Sequence, residues 1–229
     1  KLHPKVNRLR AILGLDAKNA AIVTKDADIN LAVKETVLGA LSFNGQRCTA
    51  LKTIFVHQSI AHEFIELLKE QVAKLQFGLP WEKGVTLTPL PEPGKPAYLN
   101  DLIQDAKLHG AMVMNENGGT IKETFFYPAI LFPVNHKMKV YSEEQFGPII
   151  PIIPFDDIEE PIQYIIKSTH GQQVSLFSKN KVELASLIDP LVNQVSRVNI
   201  NCQCQRGPDS FPFTGRKDSA EGTLSVVDA

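Results

Sequence analysis

Short β-branched runs alternate with stretches of helical period along the chain, and that alternation predicts an α/β fold with an open, mostly parallel twisted sheet flanked by helices. Residues 9–15 and 20–24 read as strands, and Asp26-Ala27-Asp28 sets acidic residues at the mouth of a helix running to about Leu41. Residues 53–57 form the next strand, and Ser59 is placed to cap a helix over 61–75. The proline-rich stretch 87–96 is a connection inside the domain, because the segments on either side keep one rhythm and one composition. A helix over 97–109 follows it. Further strands are expected at 111–114, 126–132, 149–154, 173–177 and 195–200, with helices over 158–167 and 181–192.

Composition narrows the reading. A hydrophobic share of 43% over 229 residues is enough for an ordinary buried core. Twenty-four basic residues offset 25 acidic ones without any block of like charge, which speaks against nucleic acid or a membrane surface as a partner. No run approaches the roughly 20 apolar residues of a bilayer span, and Asp16 and Lys18 interrupt the early apolar stretch, so it is not a signal-peptide core. Three cysteines, Cys48, Cys202 and Cys204, are too few for a disulfide framework in a chain of this length, and a reducing, cytoplasmic setting is expected. Both ends read as cuts, because the chain starts without a methionine and stops directly after an apolar segment. A piece of a longer polypeptide is therefore expected.

The segment Phe43-Asn44-Gly45-Gln46-Arg47-Cys48-Thr49-Ala50 falls between a predicted helix and a predicted strand, where a loop can hold a site. A lone cysteine is most often a small core residue. The glycine and polar residues before Cys48 favour a partly exposed thiol, and the neighbouring Arg47 charge and nearby backbone N–H groups would favour its thiolate. Cys202-Gln203-Cys204 supplies two thiols without the further cysteine or histidine cluster that a zinc shell needs, so no metal is expected. None of the six histidines stands at a recognisable spacing from Cys48.

Three motifs then fall in order: Gly45-Gln46-Arg47-Cys48, Glu143-Glu144-Gln145-Phe146-Gly147-Pro148, and Phe211-Pro212-Phe213-Thr214-Gly215-Arg216-Lys217-Asp218-Ser219. In order and approximate spacing they resemble the aldehyde dehydrogenase superfamily, over nearly the whole chain. Arg47 beside the cysteine, and Asn199-Ile200-Asn201 followed by Arg206-Gly207-Pro208-Asp209, resemble the NADP-dependent, non-phosphorylating glyceraldehyde-3-phosphate dehydrogenase branch. The resemblance implies a Rossmann-like catalytic half in which Cys48 attacks an aldehyde and its backbone N–H helps to hold the oxyanion. It implies that Glu144 accepts hydrogen bonds from the nicotinamide-side ribose, that Phe146 packs near the nicotinamide, and that Arg47 and Arg206 lie near a substrate phosphate. Asn199 would stand at the substrate end of the pocket and Phe213 would line it. Lys217 and Ser219 read as residues that hold local structure. NADP or NAD would be the cofactor, held mostly by a domain upstream. On this reading residues 1–15 are the remnant strand of that domain, 16–222 the catalytic domain, and 223–229 the start of a connection to an oligomerisation segment, in a parent that is a homodimer or homotetramer.

One departure matters. Most members carry a Glu-Leu-Gly-Gly-Lys segment whose glutamate is the general base for thioester hydrolysis; here the stretch is Ile12-Leu13-Gly14-Leu15-Asp16-Ala17-Lys18-Asn19, with Ile12 or Gly14 at the glutamate's place. Asp16 is the nearby carboxylate, shorter by one methylene, and reads first as a turn residue and second as a substitute base. Three readings follow. They are an aldehyde dehydrogenase part acting through a cysteine thioester, inactive as a dehydrogenase by itself; a cofactor-free cysteine esterase or acyltransferase; and a non-catalytic interaction protein derived from an enzyme.

Overall fold

A computed structural model describes residues 11–208 and 212–222. Its centre is a seven-stranded sheet of β1 (Asn19–Val23), β2 (Leu51–His57), β3 (Met112–Val113), β4 (Ala129–Phe132), β5 (Ile149–Phe155), β6 (Gln173–Phe177) and β7 (Arg197–Ile200). The strands lie in the order β7-β6-β1-β2-β5-β4-β3, and every neighbouring pair is parallel except β3 with β4. The expected open, mostly parallel sheet is what forms.

The central strands are apolar without alternation because both faces are covered. Ile22, Phe55 and Ile153 face a core closed by α3 (Lys95–Leu108), α4 (Glu159–Lys167) and α5 (Lys181–Val192), through Leu99, Ile162 and Leu187 among others. Their alternates, Val23, Ile54, Val56 and Ile152, face α1 (Ile29–Leu41) and α2 (Gln58–Ala73) through Val33, Phe64 and Leu68. Continuous burial of this kind is normal for parallel strands sandwiched between helices. Asp28 caps α1 by accepting from the Leu31 N–H, and Asn180 caps α5 by accepting from Val182 and Glu183.

Three local expectations are corrected. The cap of α2 is the His57 imidazole, which accepts from the Ser59 N–H, so the helix starts three residues early. Residues 126–132 are not one strand: Phe125–Phe126 pairs in a hairpin with Ile121–Lys122, and β4 starts only at Ala129. The first expected strand, 9–15, falls partly outside the described residues. Within them only Leu13–Gly14 is extended, pairing with Ala220–Glu221 in a separate two-stranded ribbon and not with the main sheet. The proposed closing stretch 223–229 also lies outside the described residues.

The segment from Pro212 to Gly222 is fastened to the edge of the domain. Lys217 donates to the carbonyls of Ile165 (2.7 Å), Ile166 (3.1 Å) and Ser168 (2.9 Å) at the end of α4, where a positive charge suits exposed carbonyls. The Ser219 hydroxyl accepts from the Gly171 N–H at 3.0 Å, and Arg216–Lys217 pairs with His170–Gly171. Lys217→Ala is expected to lower unfolding stability by about 1–2 kcal/mol. The check is a lower urea midpoint at unchanged slope; an unmoved midpoint would mean that these bonds merely replace bonds to water.

Candidate active site

Cys48 sits on the connection from α1 to β2, and the backbone there is forced into a tight reversal. Phe43, Asn44 and Gly45 have φ of 54°, 58° and 70° in succession. Asn44 tolerates this conformation better than most residues, and its side chain is fixed: Oδ1 accepts from the Thr88 N–H and Nδ2 donates to the Thr88 hydroxyl, both at 3.0 Å. Gly45 has no alternative. A Cβ there would stand 2.7 Å from the carbonyl oxygens of Ala40 and Gly147. The absence of a side chain at Gly45 thus lets the cysteine loop dock directly on the Glu143–Pro148 motif.

Two buried side chains then hold the loop from inside. Asn19, at the entry of β1, donates through Nδ2 to the carbonyls of Cys48 (2.7 Å) and Ala50 (3.0 Å) and to Gln172 Oε1 (3.3 Å), while its Oδ1 accepts from the Gln173 N–H (3.0 Å). Lys52, second residue of β2 and 1% exposed, donates to the carbonyls of Gly45 and Arg47, both at 3.0 Å. Backbone carbonyls removed from water must find donors, and these two residues supply them on both sides of Cys48.

The result is a cavity of about 890 Å³ walled by Gly14, Leu15, Asp16, Cys48, Lys95, Tyr98, Ser142, Glu143, Glu144, Phe146, His170, Gln172 and Phe213. Cys48 is exposed in it. The other two thiols differ: burial pushes Cys204 up to about 12 and raises Cys202, so neither ionises readily at neutral pH. Of the two positions at which the family's glutamate could fall, Gly14 lines the cavity.

Opposite the cysteine loop, Glu144 and Lys52 form a buried ion pair, Oε1 to Nζ 3.4 Å. Burial raises the Glu144 pKa even though the Lys52 ammonium and the Ala17 N–H pull it down. Burial likewise lowers Lys52, to about 8, against the pull of Glu144 and a smaller contribution from Cys48. Both shifts favour the neutral forms, so desolvation outweighs the mutual attraction. Glu144 lines the cavity, where a carboxylate suits a ligand hydroxyl, and Phe146 beside it offers a flat apolar face. These two residues therefore fit the ribose and ring of a nicotinamide. The Phe146 ring lies 4.7 Å below the Lys52 ammonium and 5.9 Å from that of Lys95, which also covers Tyr98 at 5.3 Å.

Of the sequence candidates, Cys48, Asp16, Glu144, Phe146 and Phe213 share this cavity. Arg206 is exposed and does not line the cavity, but its guanidinium lies 5.2 Å from the centre of the ring of Phe213, which does. Arg47 and Asn199 are not brought into the wall. The Arg47 guanidinium turns back to the Gly39 carbonyl and Gln203 Oε1, each at 3.3 Å. Asn199 is buried between β6 and β7, donating to Gln173 Oε1 and the Val174 carbonyl, each at 3.1 Å. Sequence reasoning missed Lys52, Lys95, Tyr98, Gln172 and His170. Lys52 had a signal, a lone charge inside the apolar run Leu51-Lys52-Thr53-Ile54-Phe55-Val56; His170 had none, since it stands 122 residues from Cys48. Among the described residues no cluster of three or more acidic, cysteine or histidine side chains could hold a metal, and no helix is long and apolar enough to cross a membrane.

Fold and cavity together define an α/β domain with an exposed cysteine presented to a cleft. The aldehyde dehydrogenase family model matches residues 4–229, and the chain belongs to that family. It is 37% identical to the NADP-dependent glyceraldehyde-3-phosphate dehydrogenase of Streptococcus equinus over 94% of its own length and 44% of the relative's. It is 31% identical to the sulfoacetaldehyde dehydrogenase of Neptuniibacter caesariensis, covering 95% of this chain and 47% of that one. The crystal structure of the Bacillus halodurans C-125 NADP-dependent glyceraldehyde-3-phosphate dehydrogenase, complexed with NADP, superposes with a TM-score of 0.88 at 37% identity, over 94% of this chain and 44% of that one. The chain thus spans less than half the length of these relatives.

The Lys52 pKa has a consequence for stability. The folded chain releases this proton at about 8, whereas the unfolded chain keeps it to near 10.5. Between those values the unfolded state binds more protons, so this group makes stability rise with pH, by at most about 1.4 kcal/mol per pH unit. In Lys52→Met that part of the rise in urea midpoint from pH 8 to 10 should disappear. Parallel curves for the two proteins would mean that Lys52 is not the buried cation drawn here.

Proposed function

We propose that this chain is the catalytic part of an NAD(P)-dependent aldehyde dehydrogenase that oxidises an anionic aldehyde, such as glyceraldehyde 3-phosphate, to its acid through a thioester on Cys48. The observation that carries it is the sharing of one cavity by the exposed Cys48 and the Glu144 carboxylate. The Cys48 sulfur adds to the aldehyde carbon, and the Cys48 backbone N–H holds the resulting oxyanion. A bound nicotinamide would supply the hydride acceptor. Glu144 and Phe146 orient that end of the cofactor, and the Lys52 ammonium beside Glu144 opposes the effect of its burial. Water then releases the acid from Cys48.

An anionic substrate is supported by Arg206, whose guanidinium lies over Phe213, a residue of the cavity wall. A guanidinium suits a phosphate or sulfonate, and the two curated relatives described above are named for a phosphorylated and a sulfonated aldehyde. Arg47 is assigned to holding the loop through Gly39 and Gln203. On this reading Glu144 and Phe146 serve the nicotinamide end of the cofactor, and the 229-residue chain alone should reduce no NADP with glyceraldehyde 3-phosphate.

Aldehyde capture is testable without turnover. Glyceraldehyde 3-phosphate should protect Cys48 from iodoacetamide at a concentration at least tenfold below that needed of glyceraldehyde, with the labelled residue read by mass spectrometry. Arg206→Ala should abolish that preference while leaving labelling in the absence of aldehyde. Labelling no faster than that of a model thiol, with no protection by either aldehyde, would favour the non-catalytic reading.

A further inference from the structure

The family's general base has no carboxylate at Gly14, yet the cavity contains an imidazole. We propose that His170 is the general base that deacylates Cys48, a role that rests on the cysteine reading above. His170 begins the short strand His170–Gly171, pinned on one side by Arg216–Lys217 and held at its amide by the Ser168 hydroxyl, 3.1 Å. Two residues on, Gln172 accepts from the same Asn19 amide that donates to the Cys48 carbonyl. One buried side chain therefore couples the position of the imidazole segment to that of the nucleophile.

The placement suits a water-activating base. His170 and Ser142 belong both to the Cys48 cavity and to an adjoining one of about 490 Å³, so the imidazole stands where the two meet. His136, Lys167 and Ser168 are among the residues that line the second chamber. Burial keeps His170 below its ordinary range, Asp16 and Asp218 raising it and Lys18 and Lys217 lowering it, so it is neutral and able to accept a proton at pH 7. In the step proposed, an unprotonated ring nitrogen takes a proton from water as the water oxygen bonds to the thioester carbon. The tetrahedral intermediate then expels Cys48 sulfur with its electron pair, giving the carboxylic acid, and the imidazolium returns its proton to the thiolate or to solvent. No redox partner is needed in this half-reaction. Asp16, in the same wall, acts as the carboxylate that steadies the imidazolium.

p-Nitrophenyl acetate isolates this step in the chain as it exists. Cys48 expels nitrophenolate in a burst and becomes S-acetylated, identifiable by mass, and water then clears the acetyl group. His170→Ala and the size-conserving His170→Gln should keep the burst, slow clearance at least tenfold and accumulate acetyl-Cys48. Added imidazole should restore clearance in His170→Ala, which a merely structural histidine would not allow. Clearance at the wild-type rate in both variants, or a loss that imidazole does not restore, overturns the role of His170 and leaves the cysteine reading standing. A loss seen in Asp16→Asn but in neither histidine variant transfers the role to Asp16. Absence of any burst, or a burst surviving Cys48→Ala, sinks the cysteine reading and this inference with it.

Discussion

A cysteine on a loop is only as well placed as the loop's backbone, and here that backbone is held by two buried polar side chains. Asn19 and Lys52 together supply the donors for the carbonyls of Gly45, Arg47, Cys48 and Ala50. Neither contact is replaceable by water, because both side chains are about 1% exposed. Asn19 is neutral and bonds through both ends of its amide, whereas Lys52 brings a charge whose burial is offset only partly by Glu144. The loop is thus fixed by a satisfied amide on one side and a strained ion pair on the other, and the charged member also faces the wall where a ligand would sit. Removing the lysine would leave an unpaired buried carboxylate, a larger cost than the loss of the pair itself.

The location of the cavity follows from the same residues. In open parallel α/β sheets ligands are expected at the carboxyl ends of the strands. Here Asp16 precedes β1, Cys48 precedes β2, Phe146 precedes β5, and His170 and Gln172 precede β6, so the site opens at the amino ends. The loops entering these four adjacent strands converge because the order β6-β1-β2-β5 sets them side by side. Parallel pairing aligns all four entries on one edge, which is how residues as far apart in sequence as Asp16 and Gln172 come to wall one cleft.

That convergence also explains what could and could not be read from sequence. The central strands and the helices α1 to α5 were legible because each carries its own periodicity, local to the segment, with Gln173–Phe177 and Lys181–Val192 recovered at their ends. Glu144 and Phe146 were legible only through resemblance, since nothing local distinguishes Glu144 from a solvated helix-end acid. Arg47 shows the limit of adjacency: next to Cys48 in sequence, it sends its guanidinium toward Gly39 and Gln203. His170 shows the converse, since its presence in the wall depends on strand order, which no spacing rule reports. The shortening of the first strand to Leu13–Gly14 has a similar cause. Its partner, Ala220–Glu221, is more than 200 residues away, so no local pattern could reveal the pairing.

The missing glutamate bears on one half of the chemistry only. On the proposed function, oxidising an aldehyde to a thioester on Cys48 needs an exposed sulfur, a fixed loop and an oriented hydride acceptor, and the side chains suited to those tasks all wall the cavity or support it: Cys48, Asn19, Lys52, Glu144 and Phe146. Hydrolysing the adduct needs a base near water, and there Gly14 contributes nothing while Asp16 and His170 bring groups of different reach and basicity. On the proposed function, the layout around Cys48 serves acylation, and Asp16 and His170 stand where Gly14 offers no base.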